Sequence, residues 1–137
     1  MTLVAVNYVA VLVAAIATMA LGFVWYGPLF GKPWMKLSGM TKEKMEASKD
    51  QMPKIYGLGF LFQLLMAYVI AQFVAALGAT TAMEGAMVGF WGWLGFTATT
   101  MVTQVLWGDQ PVKLYEINVG YQLVAMAVMG AIFAVWV

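Results

Sequence analysis

The sequence predicts an all-α integral membrane protein, a four-helix bundle with a short cytoplasmic interfacial segment between helices 1 and 2. Three observations carry this. The 137 residues are 64% hydrophobic and 9% charged, outside the usual composition of a soluble globular domain. The apolar residues gather into four runs, about 2–26, 54–78, 83–107 and 114–137, and a hydrocarbon core needs roughly 20 helical residues to cross it. No charge stands deep in any run, where insertion would cost roughly 2.5–3.5 kcal/mol. The main segment outside the runs is the loop Gly27–Pro53, so a single transmembrane domain over 1–137 is expected.

The first run has no Lys before Lys32 and exceeds the usual secretory h-region of about 7–15 residues, so it is read as a retained span. Trp25, Tyr26, Phe30 and Trp34 bracket one end of it, at the level where amphipathic rings settle in a bilayer. Gly27, Pro28, Gly31 and Pro33 are expected to stop the span continuing as helix. Thr41 is the N-cap expected for a short polar helix over KEKMEASKD. Trp34, Met35, Leu37 and Met40 before it lay the segment on the membrane surface. Glu43, Glu46 and Asp50 interleave its lysines, which favours a solvated helix over one held by anionic lipid. A short turn, Ala79–Ala82, joins the second and third runs, and Pro111 centres the connection to the fourth. Small residues recur at four-residue spacing: Ala10, Ala14, Thr18 and Gly22; Ala67, Ala71 and Ala75; Gly85 and Gly89; Gly130 and Ala134. Such ladders let helix backbones approach closely in lipid. They imply a compact bundle first and a face for a second copy next, with a dimer as the expected homo-oligomer.

All seven lysines fall in or beside the first and third connections. Positive charge stays on the cytoplasmic side in short loops. The expected location is therefore the cell membrane (the inner one where there are two), multi-pass, with both termini outside and the Lys-rich loop in the cytoplasm.

Little chemistry is left. There is no His, Cys or Arg, and zinc or copper would need His, Cys or clustered carboxylates. Met35, Met40, Met45 and Met52 read as flexible apolar packing rather than soft-metal ligands. Ser38 and Ser48 have no base to activate them. No catalytic residue, metal or cofactor is expected, and the net charge of +1 gives no reason to expect nucleic acid.

The uncharged polar groups within the spans are costly there and tend to face the bundle interior. Counted from Pro111, Trp107 pairs with Tyr115, Gln104 with Asn118, and Thr100 with Gln122, each equidistant from the turn. Thr97, Thr100 and Gln104 share one helical face, as do Tyr115, Asn118 and Gln122. Gln63 and Thr18 reach a similar depth. A cluster of Thr18, Gln63, Thr100 and Gln122, continued by Gln104 and Asn118, is expected, with Gln104 bonded to Asn118. Asn7 and Gln72 form a smaller pair near the outer face. Two readings stand: struts that bond helix to helix at roughly 0.6 kcal/mol each, or the lining of a ligand site or hydrated path.

The segment GFVWYGPLFGKPW, followed later by PVKLYEINVGYQLVAMAVMGAI, resembles the DUF1761 family of small membrane proteins along nearly the whole chain. The resemblance rests on Asn7, on Trp25, Tyr26, Pro28, Phe30, Gly31, Lys32 and Trp34, and on Gly120–Tyr121. Relatives often carry His after that Gly-Tyr pair, where this chain has Gln122, so a titratable group is missing. The resemblance implies a four-span fold and no particular activity.

Two functions follow. The first is a small oligomeric transporter or channel for a neutral or weakly polar solute, supported by the amide and hydroxyl cluster at mid-membrane depth. The second is a non-transporting membrane module that binds a lipid or a partner protein through the aromatic-basic patch of Phe30, Lys32 and Trp34. A hydrated path through the cluster favours the first, and a dry, fully bonded cluster the second.

Overall fold

The computed structural model describes residues 3–136. Thr2 and Val137, the expected limits of the first and last runs, lie outside the described residues. Among those residues the chain is helical with no strand. Helix α1 is Tyr8–Val24 and runs directly into a π-helical turn, Trp25–Leu29. Helix α2 is Gly31–Ser38, α3 Lys42–Ala47, and α4 Met52–Leu77. Helix α5, Ala82–Gly92, continues into a second π-helical stretch, Trp93–Ala98, then into α6, Thr99–Met101, and α7, Thr103–Leu106. Helix α8 is Val112–Val135. Three stretches are long and apolar enough to cross a membrane: Tyr8–Leu29, Lys49–Leu77 and Val112–Val135.

The differences from expectation are local and physical. The first helix starts at Tyr8, not near Thr2, because Asn7 caps it by accepting from the Ala10 amide at 3.1 Å while residues 3–6 run non-helically. Pro28 does not end the helical path. It lacks the amide that an α-turn would use, and the chain winds one residue wider, with the Phe30 amide bonding to the Trp25 carbonyl at 2.8 Å. Pro33 falls in the first turn of α2, where amides have no intrahelical partner. Thr41 is the N-cap of α3, its hydroxyl accepting from the Lys44 amide at 3.1 Å.

The third run, 83–107, is not one regular helix. Beyond Gly92 the hydroxyls of Thr99, Thr100 and Thr103 bond back to the carbonyls of Gly95, Phe96 and Thr100, each at 2.7 Å. Such back-bonding loosens and bends a helix. The Tyr115 hydroxyl also donates to the Ala98 carbonyl at 2.8 Å.

Helix α8 is the hub. It packs on α1, α4 and, most extensively, α5, while α1 packs on α4. The small-residue ladders explain how. Ala10, Ala14 and Thr18 on α1 and Ala67 and Ala71 on α4 are buried where those helices meet. Gly85 and Gly89 bring α5 so near α8 that an added Cβ would overlap the carbonyls of Gly130 and Met126. These ladders are therefore occupied within the chain. Helices α4 and α5 touch only lightly, which leaves an open cleft between them.

Candidate functional site

Two features stand out: a polar junction around α8 and the apolar cleft beside it. At the junction α1, α4 and α8 meet at one level. The Thr18 hydroxyl lies 3.1 Å from Gln63 Oε1, and 3.0 and 3.1 Å from the carbonyls of Ala14 and Ala15, three acceptors for one proton. Gln63 Nε2 donates to the Tyr121 hydroxyl at 3.5 Å, and that hydroxyl donates to the Thr18 carbonyl at 2.7 Å. Gln63 thus joins a side chain of α1 to one of α8. Gly22 makes room for it, since Tyr121 Oη lies 3.3 Å from where a Cβ would stand.

One turn toward the lysine-bearing end, the Tyr26 hydroxyl donates to Asn118 Oδ1 at 2.8 Å, and Trp25 Nε1 donates to the Ile117 carbonyl at 2.9 Å. From the other side of α8, Trp93 Nε1 donates to the Val119 carbonyl at 2.8 Å. Trp25 and Trp93 are each the first residue of a π-helical stretch. Extra winding at those points turns an indole onto α8, and π-turns of this kind occur often at functional places. Phe30 stacks on Trp25 at 4.8 Å, Trp34 meets Tyr26 edge-on at 5.7 Å, and Tyr121 sits 5.6 Å from Tyr26.

Of the residues predicted to cluster, Thr18 and Gln63 do meet. The partner from α8 is Tyr121, however, not Gln122. Successive helical residues point about 100° apart, and the count from Pro111 found the level but not the face. Gln122 Oε1 is buried with no hydrogen-bond partner among the described residues. Gln104 and Thr100 are exposed and join no cluster: Thr100 bonds to its own helix, and Asn118 takes Tyr26 in place of Gln104. The irregular winding after Gly92 rotates both away from the register that an unbroken helix would give. Asn7 and Gln72 are not bonded to each other. Asn7 caps α1, and Gln72 grips the Val4 backbone, accepting from its amide and donating to its carbonyl, both at 2.9 Å. Trp25 and Tyr26 face inward instead of forming a surface patch with Lys32, which is exposed. The pattern of amides and hydroxyls gives no signal for Trp93 or Tyr121, although Tyr121 sits in the Gly120–Tyr121 pair of the resemblance.

The cleft is a different kind of site. It encloses about 1070 Å³ and is lined mainly by apolar groups, among them Phe62, Phe73, Met87, Trp91, Phe96 and Met126. Its wall reaches α8 at Met126, and Gly92 leaves room there, since a Cβ on it would meet only Met126 Cε, at 3.5 Å. A smaller pocket of about 300 Å³ lies at the end of the molecule away from the lysines, between Asn7, Gly78 and Trp136.

A family model described as a protein of unknown function, DUF1761, matches residues 9–134. No curated protein and no solved structure matches the chain.

Proposed function

We propose the following role for this chain, which belongs to the DUF1761 family: it spans the membrane four times, with both termini outside, and holds a lipid-like ligand in the cleft between α4 and α5. The segmented helical path Ala82–Leu106 serves as the third crossing. Its charges, like those of the other spans, lie at the ends; Trp91, Leu94 and Phe96 on its exposed face are apolar, and the exposed Thr99, Thr100 and Thr103 turn their hydroxyls onto backbone carbonyls. The lysines supply the orientation.

The observation that carries the ligand reading is the cleft, about 1070 Å³ of apolar space open at the bundle flank and floored by α8. Pockets of roughly this size and lining are where small apolar ligands bind. The polar junction supports the same reading. Its members bond to one another and to backbone carbonyls, as struts do, and the two described pockets include none of Thr18, Gln63, Asn118 and Tyr121. A solute path through that level has less support.

The test is native mass spectrometry of the protein released from phospholipid nanodiscs. A retained lipid-like adduct is expected on the wild type and on Gly57→Leu, where the added side chain meets open space. Gly92→Leu should lose it, because the new side chain enters the cleft, where only the flexible end of Met126 lies near, at 3.5 Å from the Cβ. Equal retention by Gly92→Leu would refute the site.

A further inference from the structure

We infer that the cleft takes a single-chain amphiphile with a net cationic head, and that Glu84 is the group that meets the charge. This rests on the ligand reading above and adds the head-group chemistry to it.

Glu84 is alone. Every other charged residue lies within 32–54 or 109–116, at the opposite end of the helices. Glu84 stands in the first turn of α5 and lines the cleft at its end. Its position is fixed by two bonds at the helix start: the Thr81 hydroxyl accepts from the Glu84 amide at 3.1 Å, and Glu84 Oε2 accepts from the Thr80 amide at 3.0 Å. That arrangement uses one carboxylate oxygen. A carboxylate has about four acceptor sites, and among the described residues only the Thr80 amide occupies one, so Oε1 is open to a cation from outside. No Lys at that end competes for it.

The same solitude selects against phospholipid. A phosphate set beside Glu84 would face a carboxylate with no basic side chain to hold it, and like charges in contact are unfavourable. A head that carries an ammonium and no phosphate avoids that conflict. The tail is specified by length and softness. The twelve helical steps from Glu84 to Phe96 cover roughly 18 Å at the α-helical rise, close to an extended tetradecyl chain. Met66, Met83, Met87 and Met126 line the space and adapt to tails of differing shape.

The experiment measures equilibrium binding of tetradecyltrimethylammonium and of tetradecanol to the full chain in phosphatidylcholine nanodiscs. Glu84→Gln keeps the cap, since Gln accepts at that position as Glu does. At low salt the wild type should bind the ammonium up to about fivefold tighter than Glu84→Gln, the upper end for an exposed ion pair. High salt should close the gap, and tetradecanol should bind both alike. Glu84→Lys should reverse the preference, favouring tetradecyl sulfate. Equal ammonium binding by wild type and Glu84→Gln, with tetradecanol still bound, overturns this inference alone. Failure of both probes to bind the wild type overturns the cleft reading beneath it. Displacement of the ammonium by phosphatidylethanolamine with the same dependence on Glu84 would make the ligand a phospholipid and overturn the net-cation argument.

Discussion

Gly130→Ala should cost about 3 kcal/mol, far more than a methyl group usually does, because backbone stands where the methyl must go. A Cβ at Gly130 would overlap the Gly85 carbonyl, 2.8 Å from its carbon and 3.4 Å from the Gly89 nitrogen. Neither neighbour is the movable end of a side chain, so α5 and α8 must separate by roughly an ångström to restore ordinary contact near 3.5 Å. A gap of about 0.5–1 Å forfeits a quarter to a half of each contact's attraction, and the loss runs along the whole seam through Gly89 and Met126. Overpacking typically costs about 1–3 kcal/mol and sometimes more, and the rigid partner puts this site at the upper end. The control is Gly57→Ala on α4, where the Cβ meets nothing within 4 Å. That variant should be stabilised by about 0.5–1 kcal/mol through the unfolded chain. Steric-trap unfolding in bicelles measures both. Equal stabilities for the two variants would refute the backbone-contact reasoning.

Four further outcomes are expected. Gln63→Leu should lose about 1 kcal/mol in the same assay, since Thr18 keeps the Ala14 carbonyl and Tyr121 keeps the Thr18 carbonyl; Gln122→Leu should hold stability or gain up to about 1 kcal/mol, because it removes a buried acceptor that has no partner among the described residues. Trp93→Phe should cost about 1 kcal/mol for its lost bond to Val119, and a larger loss from Trp93→Leu would separate ring packing from the hydrogen bond. Tags at either terminus should react with a non-permeant reagent on intact cells, and protection of both would invert the orientation argued from the lysines.

The helical class was legible because it rests on composition and on run lengths, which survive small errors of register. The end of α4 matched closely: Gly78 takes a left-handed conformation at φ 71°, as a C-terminal glycine does. The Asn7 cap, by contrast, hides inside an apolar run, and only the unwound residues before it show that a helix starts there. The polar junction was half legible. Depth is a sum over residues, so Thr18 and Gln63 fell at the same level as expected. Facing is a remainder after division by 3.6, and a single widened turn changes it. The segment after Gly92 contains such turns, so Thr100 and Gln104 were assigned to a face that they do not occupy. The cleft was not legible at all, since it arises from which helices fail to touch, a property of the assembly and of no single run.

The central place of α8 also governs how the fold can be made. Half of its apolar window is buried, against 28% for each of the other two long helices. It is also the last of the described helices to leave the ribosome, where synthesis proceeds at about 5–20 residues per second. On the four-span reading proposed above, α1 and α4 have several seconds to find each other in the bilayer, while α5 is already inserted with its glycine face turned to lipid tails. Assembly on that reading is a two-stage event: three segments wait, and the final one recruits them together. A nascent chain stalled before Val112 should remain an open, protease-sensitive set of helices. A separately synthesised α8 peptide should be able to complete it in trans.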